Sequence, residues 1–334
     1  MRSAENRLSV LGGAVVAVSG LFWLAPAINS IAAFAGIVGL ILIVTRLGYA
    51  RGLSMASVGF ILALGTSSLT TGYLEGLYYG SFYALIVVAP AFIMGWASRN
   101  LYKPISVVCY GLIPFGILFL LFAYSYIEWM RNLPSLINYS AANFDEVMNS
   151  VPVFFKEILL RFIESNYGAG EEGIMSFLKD STEFLEATLK IAPGFLFITL
   201  LGTAVFSLAI AGYIATKMGV IIPRFQPFHH WKASGWWLLP TVLGLIPVVF
   251  RMQELWFYVG LNILIVTGHV YVVVGLAIVE AFFKRIILPV PIKVIFYVIL
   301  ILAGPISMTF LAILGLSDTK FNFKREIEDF ENKE

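Results

Sequence analysis

Three polar side chains interrupt an otherwise apolar run at residues 255–283: Asn262, His269 and Glu280. An amide, an imidazole and a carboxylate can hydrogen-bond a ligand, carry a proton or hold a charge. A helical residue turns about 100°, so the separations of seven and eighteen residues are close to two and five turns. All three then lie within roughly 20° of one another on one face. Gly260, Gly268, Tyr271 and Gly275 fall on the opposite side, where small residues let a second helix approach. His269 is fourteen residues into the run, about 21 Å along it, near the middle of a hydrocarbon core about 30 Å thick. Ionisable groups at that depth are costly, which makes His269 and Asn262 the candidate substrate-binding residues. The structural alternative for both is hydrogen bonding between helices. Glu280 precedes Lys284 by four residues near the end of the run, which predicts an ion pair at the membrane boundary.

The rest of the chain must hold that helix. Of 334 residues, 59% are hydrophobic and 13% charged, and mean hydropathy is +0.88. Soluble domains carry about 25% charged residues. The fold class is therefore all-α, a polytopic transmembrane helical bundle. Near-spanning apolar segments fall at 8–25, 28–45, 52–71, 77–97, 104–127, 191–216, 235–251, 255–283 and 287–316, giving about eight to nine spans. Pro26 divides the first two. Arg2, Arg7 and the small residues around Ala25 also fit a secretory leader, but a second apolar span follows at once, so a retained first helix is expected. Basic loops (Arg46 and Arg51; Arg99 and Lys103; Lys217, Arg224 and Lys232; Lys284 and Arg285) alternate with neutral or acidic ones, which predicts a cytoplasmic N-terminus.

Four regions follow from this pattern: N-terminal membrane helices over 1–127, an insertion at 128–190, C-terminal membrane helices over 191–316 and a polar tail at 317–334. The insertion carries ten acidic and five basic residues and reads as an extracytoplasmic amphipathic helical hairpin, one helix from Ser150 and one over 174–190. The connector 217–233 mixes Pro223, Phe225, Pro227, Phe228, His229, His230 and Trp231 with basic residues, a composition suited to the headgroup zone. Its adjacent histidines diverge by about 100° on a helix and have no third ligand at a useful spacing, so no metal site is expected. Ala32-x3-Gly36 and Ala35-x3-Gly39 allow close approach of another helix, within the chain or from a partner.

Several chemistries are excluded. The chain has no phosphate-binding G-x-x-x-x-G-K-[ST] loop, no H-E-x-x-H and no G-x-S-x-G. Its titratable groups are scattered, so no catalytic residue and no cofactor is expected, and the protein is read as a non-enzyme. One cysteine, Cys109, rules out an internal disulfide. A net charge of +2 with no long basic run argues against nucleic acid.

The order Pro223-x3-Pro227-Phe228-x2-Trp231-Lys232, then Asn262-x8-Tyr271-x3-Gly275, then Leu314-Gly315-x2-Asp318-x2-Phe321-x-Phe323-Lys324-Arg325 resembles the YybS-like family of bacterial multi-pass membrane proteins, a domain of unknown function. The match is best over about residues 190–325. The 128–190 insertion departs from it. That family is distantly similar to the substrate-binding S subunits of energy-coupling-factor transporters. The resemblance implies a bacterial cytoplasmic-membrane protein that binds a small molecule in its bundle and relies on separate ATPase and coupling subunits. The competing expectation is a membrane scaffold or interaction protein acting through the insertion or the connector.

Overall fold

In the computed structural model, the described residues are 2–22, 29–117, 161, 163–168, 171–321 and 323. Among them every regular element is helical. Helices α1 (Arg2–Leu21), α2 (Asn29–Leu47) and α3 (Tyr49–Thr71) come first. They are followed by α4 (Tyr73–Tyr83), a π-helical turn (Ala84–Val88) and α5 (Ala89–Arg99), then α6 (Pro104–Gly111). After the undescribed stretch come α7 (Glu171–Lys217), α8 (Leu238–Val249), α9 (Glu254–Arg285), α10 (Val290–Leu302) and α11 (Pro305–Phe321).

Five of the described helical stretches are long and apolar enough to cross a membrane: Ser30–Leu47, Tyr49–Thr70, Tyr73–Arg99, Ser176–Lys217 and Glu254–Arg285. The pair α10 and α11 makes a sixth if it is counted as one span. The segment expected at 287–316 is thus bent by 110° rather than straight. Gly304 (φ 54°) and Pro305 cause the break, because the first takes a left-handed conformation and the second cannot donate to the preceding turn. Ser307 Oγ donates to the carbonyl oxygens freed there, 2.5 Å from Leu300 and 2.7 Å from Gly304. The stretches Val10–Leu21, Pro104–Ile117 and Gly235–Val249 are apolar but shorter. The hairpin helix expected from Ser150 falls largely outside the described residues. The one expected over 174–190 lies within α7, which continues unbroken through Pro193 into the apolar stretch.

The chain divides into two compact units, Met1–Leu118 with Phe195–Glu334, and Phe119–Gly194. In the second, Tyr167 meets Phe177 edge-on at 5.6 Å, and Lys190 pairs with Glu186 one turn earlier at 2.5 Å.

In the first unit α2 is central. Its sequence is apolar on every side, and 61% of its spanning window is buried against 28–33% for the other long helices. Leu40, Ile41, Ile43 and Val44 reach neither solvent nor lipid. The small residues Gly36 and Gly39 pack on Ser19, Val15 and Val16 of α1, so that stripe serves contacts within the chain. The corners after α2 and α3 turn at Gly48 (φ 90°) and Gly72 (φ 101°), conformations that side chains disfavour. The π-turn sits just before Pro90, whose ring would clash with the carbonyl four residues back in a regular helix.

A polar pair lies inside this bundle. Tyr83, fully buried, meets Ser19 Oγ with its hydroxyl at 2.6 Å, and Ser19 Oγ also reaches the Val16 carbonyl at 2.7 Å. Tyr83→Phe is expected to lower stability in detergent by about 1 kcal/mol, since Ser19 keeps its bond to Val16. Thermal unfolding of Tyr83→Phe, Ser19→Ala and the double variant measures the coupling; strictly additive losses would show that the pair does not interact.

Candidate functional site

Helix α9 begins with Glu254 in its first turn and ends with Lys284 and Arg285 in its last, charges that oppose the helix dipole at each end. Between them its glycines decide how neighbours pack. Gly244 of α8 lies on Gly260, so α8 runs antiparallel against the first half of α9. Gly275 lies against the Leu311 carbonyl and Gly315 against the Tyr271 carbonyl, which sets α11 antiparallel along the second half. Backbone meets backbone at that crossing. The packing face expected from the sequence thus forms at Gly260, Tyr271 and Gly275, while a methyl at Gly268 would find nothing within 4 Å.

The opposite face carries the candidate residues, both half-buried. Asn262 Nδ2 donates to the Tyr258 carbonyl at 2.8 Å. His269 Nδ1 lies 2.8 Å from the Ile265 carbonyl. A carbonyl oxygen can only accept, so this bond places a proton on Nδ1; in the neutral ring the lone pair is then on Nε2. Among the described residues, His269 Nε2 has no hydrogen-bond partner. Phe195 of α7 stands edge-on to the imidazole, with ring centres 6.2 Å apart and planes at 82°. Asn262 and His269 share a face but sit two turns apart, and each hydroxyl-free polar group bonds back to its own helix. What the arrangement offers is a hydrogen-bond acceptor set against an aromatic edge, halfway along an apolar helix.

Glu280 does not pair with Lys284 as its spacing predicts. Its carboxylate accepts from Lys293 Nζ at 3.2 Å and from the Tyr297 hydroxyl at 2.8 Å, both on α10. The side chains of Lys293 and Glu280 are 20% and 23% exposed, so the pair is largely shielded. Phe283 adds edge contacts to Phe296 at 5.0 Å and to Tyr297 at 6.1 Å. These contacts lay α10 across the end of α9. Lys284 instead donates to His229 Nε2 of the connector at 3.3 Å. There Phe225 and Phe228 pack on Trp231, whose indole N–H donates to the Gln226 carbonyl at 2.8 Å.

Sequence reasoning missed three buried or shielded polar features: the Ser19–Tyr83 pair, the capture of Glu280 by α10, and Asp318, only 5% exposed. The first two join residues too distant in sequence for any local spacing to reveal. Asp318 was visible as an acid near an apolar run, but only the α9–α11 crossing shows that it points inward.

Apolar spans, interhelical glycine contacts and shielded polar pairs define a polytopic α-helical membrane protein. A family model described as "Predicted membrane protein (DUF2232)" matches residues 14–319, and the chain belongs to that family. Comparison with curated proteins and with solved structures finds no significant match.

Proposed function

We propose that the protein is a small-molecule-binding or transport-related subunit of the bacterial cytoplasmic membrane, without an ATPase of its own and without catalytic activity. The observation that carries this reading is His269: its Nδ1 bond to Ile265 presents an Nε2 lone pair beside Phe195 in the middle of α9. Asn262 supplies a second polar group on the same face, suited to orienting a ligand with donor and acceptor atoms. Similarity to the YybS-like family, and through it to energy-coupling-factor S subunits, supports partners that provide ATP hydrolysis and coupling. The N-terminus is cytoplasmic in this reading, because the basic loops then face inward. By length and composition the described helices support five crossings, or six with the bent pair. This reading adds the three shorter apolar helices as crossings, which gives the eight to nine spans expected from hydropathy.

Native mass spectrometry of the detergent-solubilised protein tests the proposal. A bound small molecule is expected, reduced about tenfold or more in His269→Ala if its binding loses a little over 1.4 kcal/mol. Absence of both ligand and ATPase subunits across several growth conditions would sink it. The alternative, a membrane scaffold, draws on the aromatic connector tied to α9 through His229 and Lys284. It would be favoured by co-purification of a membrane partner unrelated to transport.

A further inference from the structure

The end of α9 meets the connector in a contact between two bases. Lys284 Nζ donates to His229 Nε2 at 3.3 Å, and the rings of His229 and His230 lie together, centres 4.0 Å apart with planes at 43°. A single 3-10 turn, Phe228–His230, places both histidines there. Pro227 opens the turn, and the His230 N–H donates to the Pro227 carbonyl at 2.9 Å. An ammonium group that donates to a neutral ring keeps its full charge, and a protonated ring beside it would add a second. The contact gathers positive charge rather than cancelling it.

The surrounding sequence adds to that charge. Between Glu186 and Glu254 the chain has no acidic residue, while Lys217, Arg224 and Lys232 flank the connector and Arg285 follows Lys284. On α9 the acid nearest to Lys284 is Glu280, one turn earlier, and its carboxylate is engaged by Lys293 and Tyr297. Glu254 stands at the other end of α9, about 45 Å away at 1.5 Å per residue. The depth is equally specific. Lys284 and Arg285 close a stretch apolar enough to span, so both lie where hydrocarbon gives way to headgroups. Next to the histidines, Phe225 and Phe228 pack on Trp231 at 5.4 and 5.3 Å, and aromatic rings of this kind settle at the same level. Lys284 itself is exposed.

We propose that Lys284, His229 and His230 bind the headgroup of an anionic phospholipid. Its phosphate oxygens accept from Lys284 Nζ and from imidazole N–H groups in charge-assisted hydrogen bonds, while the acyl chains stay in the bilayer. Net negative charge is what the cluster selects, because a zwitterionic lipid brings its own cation to a site that is already positive. Bound there, the lipid fastens the connector to α9, independently of whatever occupies the His269 face.

Native mass spectrometry of the delipidated full-length protein in detergent tests this, with phosphatidylglycerol or phosphatidylcholine of matched acyl chains added back. Phosphatidylglycerol is expected to be retained several-fold more than phosphatidylcholine. In the double variant Lys284→Ala with His229→Ala that preference should fall several-fold. Lys284→Arg keeps the charge and should keep the preference, and Lys103→Ala, a basic change in another loop, should leave it unchanged. Thermal unfolding of each variant without added lipid checks that it folds. Equal retention of the two lipids overturns the proposal, and so does an undiminished preference in the double variant. An equal fall in Lys103→Ala overturns it too, since general surface charge rather than a site would then hold the lipid. If inorganic phosphate stabilises the wild type but not the double variant, while phosphatidylglycerol shows no preference, the ligand is free phosphate and the lipid site falls.

Discussion

Gly315→Ala is expected to destabilise the protein by about 1–3 kcal/mol, the usual cost of forcing atoms into a filled interior. An added methyl would enter the space of the Tyr271 carbonyl oxygen, a backbone atom that no rotamer change can move. The helices would have to separate, and the reciprocal contact of Gly275 with the Leu311 carbonyl would open with them. Gly275→Ala should therefore behave alike. Gly268→Ala is the internal control, since its methyl meets no atom within 4 Å and alanine favours a helix by about 1 kcal/mol. Unfolding in detergent with heat or added dodecyl sulfate reads all three. Equal stability of the Gly315 and Gly268 variants would show that α9 and α11 do not cross this closely.

The second large effect belongs to Glu280. Glu280→Gln removes the charge that Lys293 and Tyr297 share and leaves Lys293 shielded without a counter-ion. Hydrogen bonds to charged groups contribute about 1.5–3 kcal/mol, and at roughly a fifth exposure about 2 kcal/mol is expected. Replacing both partners, Glu280→Gln with Lys293→Met, should recover most of that loss, because removing a whole ion pair is often close to neutral. A thermodynamic cycle measures this directly. If the two losses simply add, the contact is incidental and α10 is held by Phe283 packing alone.

These expectations also mark where local sequence reading succeeds. Apolar runs of the right length identify the long helices, and the two-faced pattern of residues 255–283 places Gly260 and Gly275 correctly, because both depend on helical period alone. The same reasoning goes astray at 287–316. Hydropathy averages over Ala303-Gly304-Pro305, although a Gly-Pro step inside an apolar run is itself a break signal. Glu280 shows a different limit. Its neighbour Lys284 has favourable spacing, yet that ion pair is worth only a few tenths of a kcal/mol on a helix surface. Once α10 folds across α9, Lys293 and Tyr297 offer a shielded, two-donor partner instead, and nothing within four residues of Glu280 announces it. For the candidate site, the sequence identifies His269 and its face. The proton on Nδ1 and the neighbour Phe195 require coordinates, since one depends on the direction of a carbonyl and the other on a helix more than seventy positions away.

Ser19 and Tyr83 impose an order on biosynthesis. They are separated by 64 residues, so at about 5–20 residues per second the ribosome needs about 3–13 s to deliver the tyrosine after the serine. During that interval α1 can enter the bilayer with its hydroxyl already satisfied, because Ser19 has its own Val16 carbonyl within reach. The nascent helix thus waits without an unmet hydrogen bond until the fourth segment arrives to claim it.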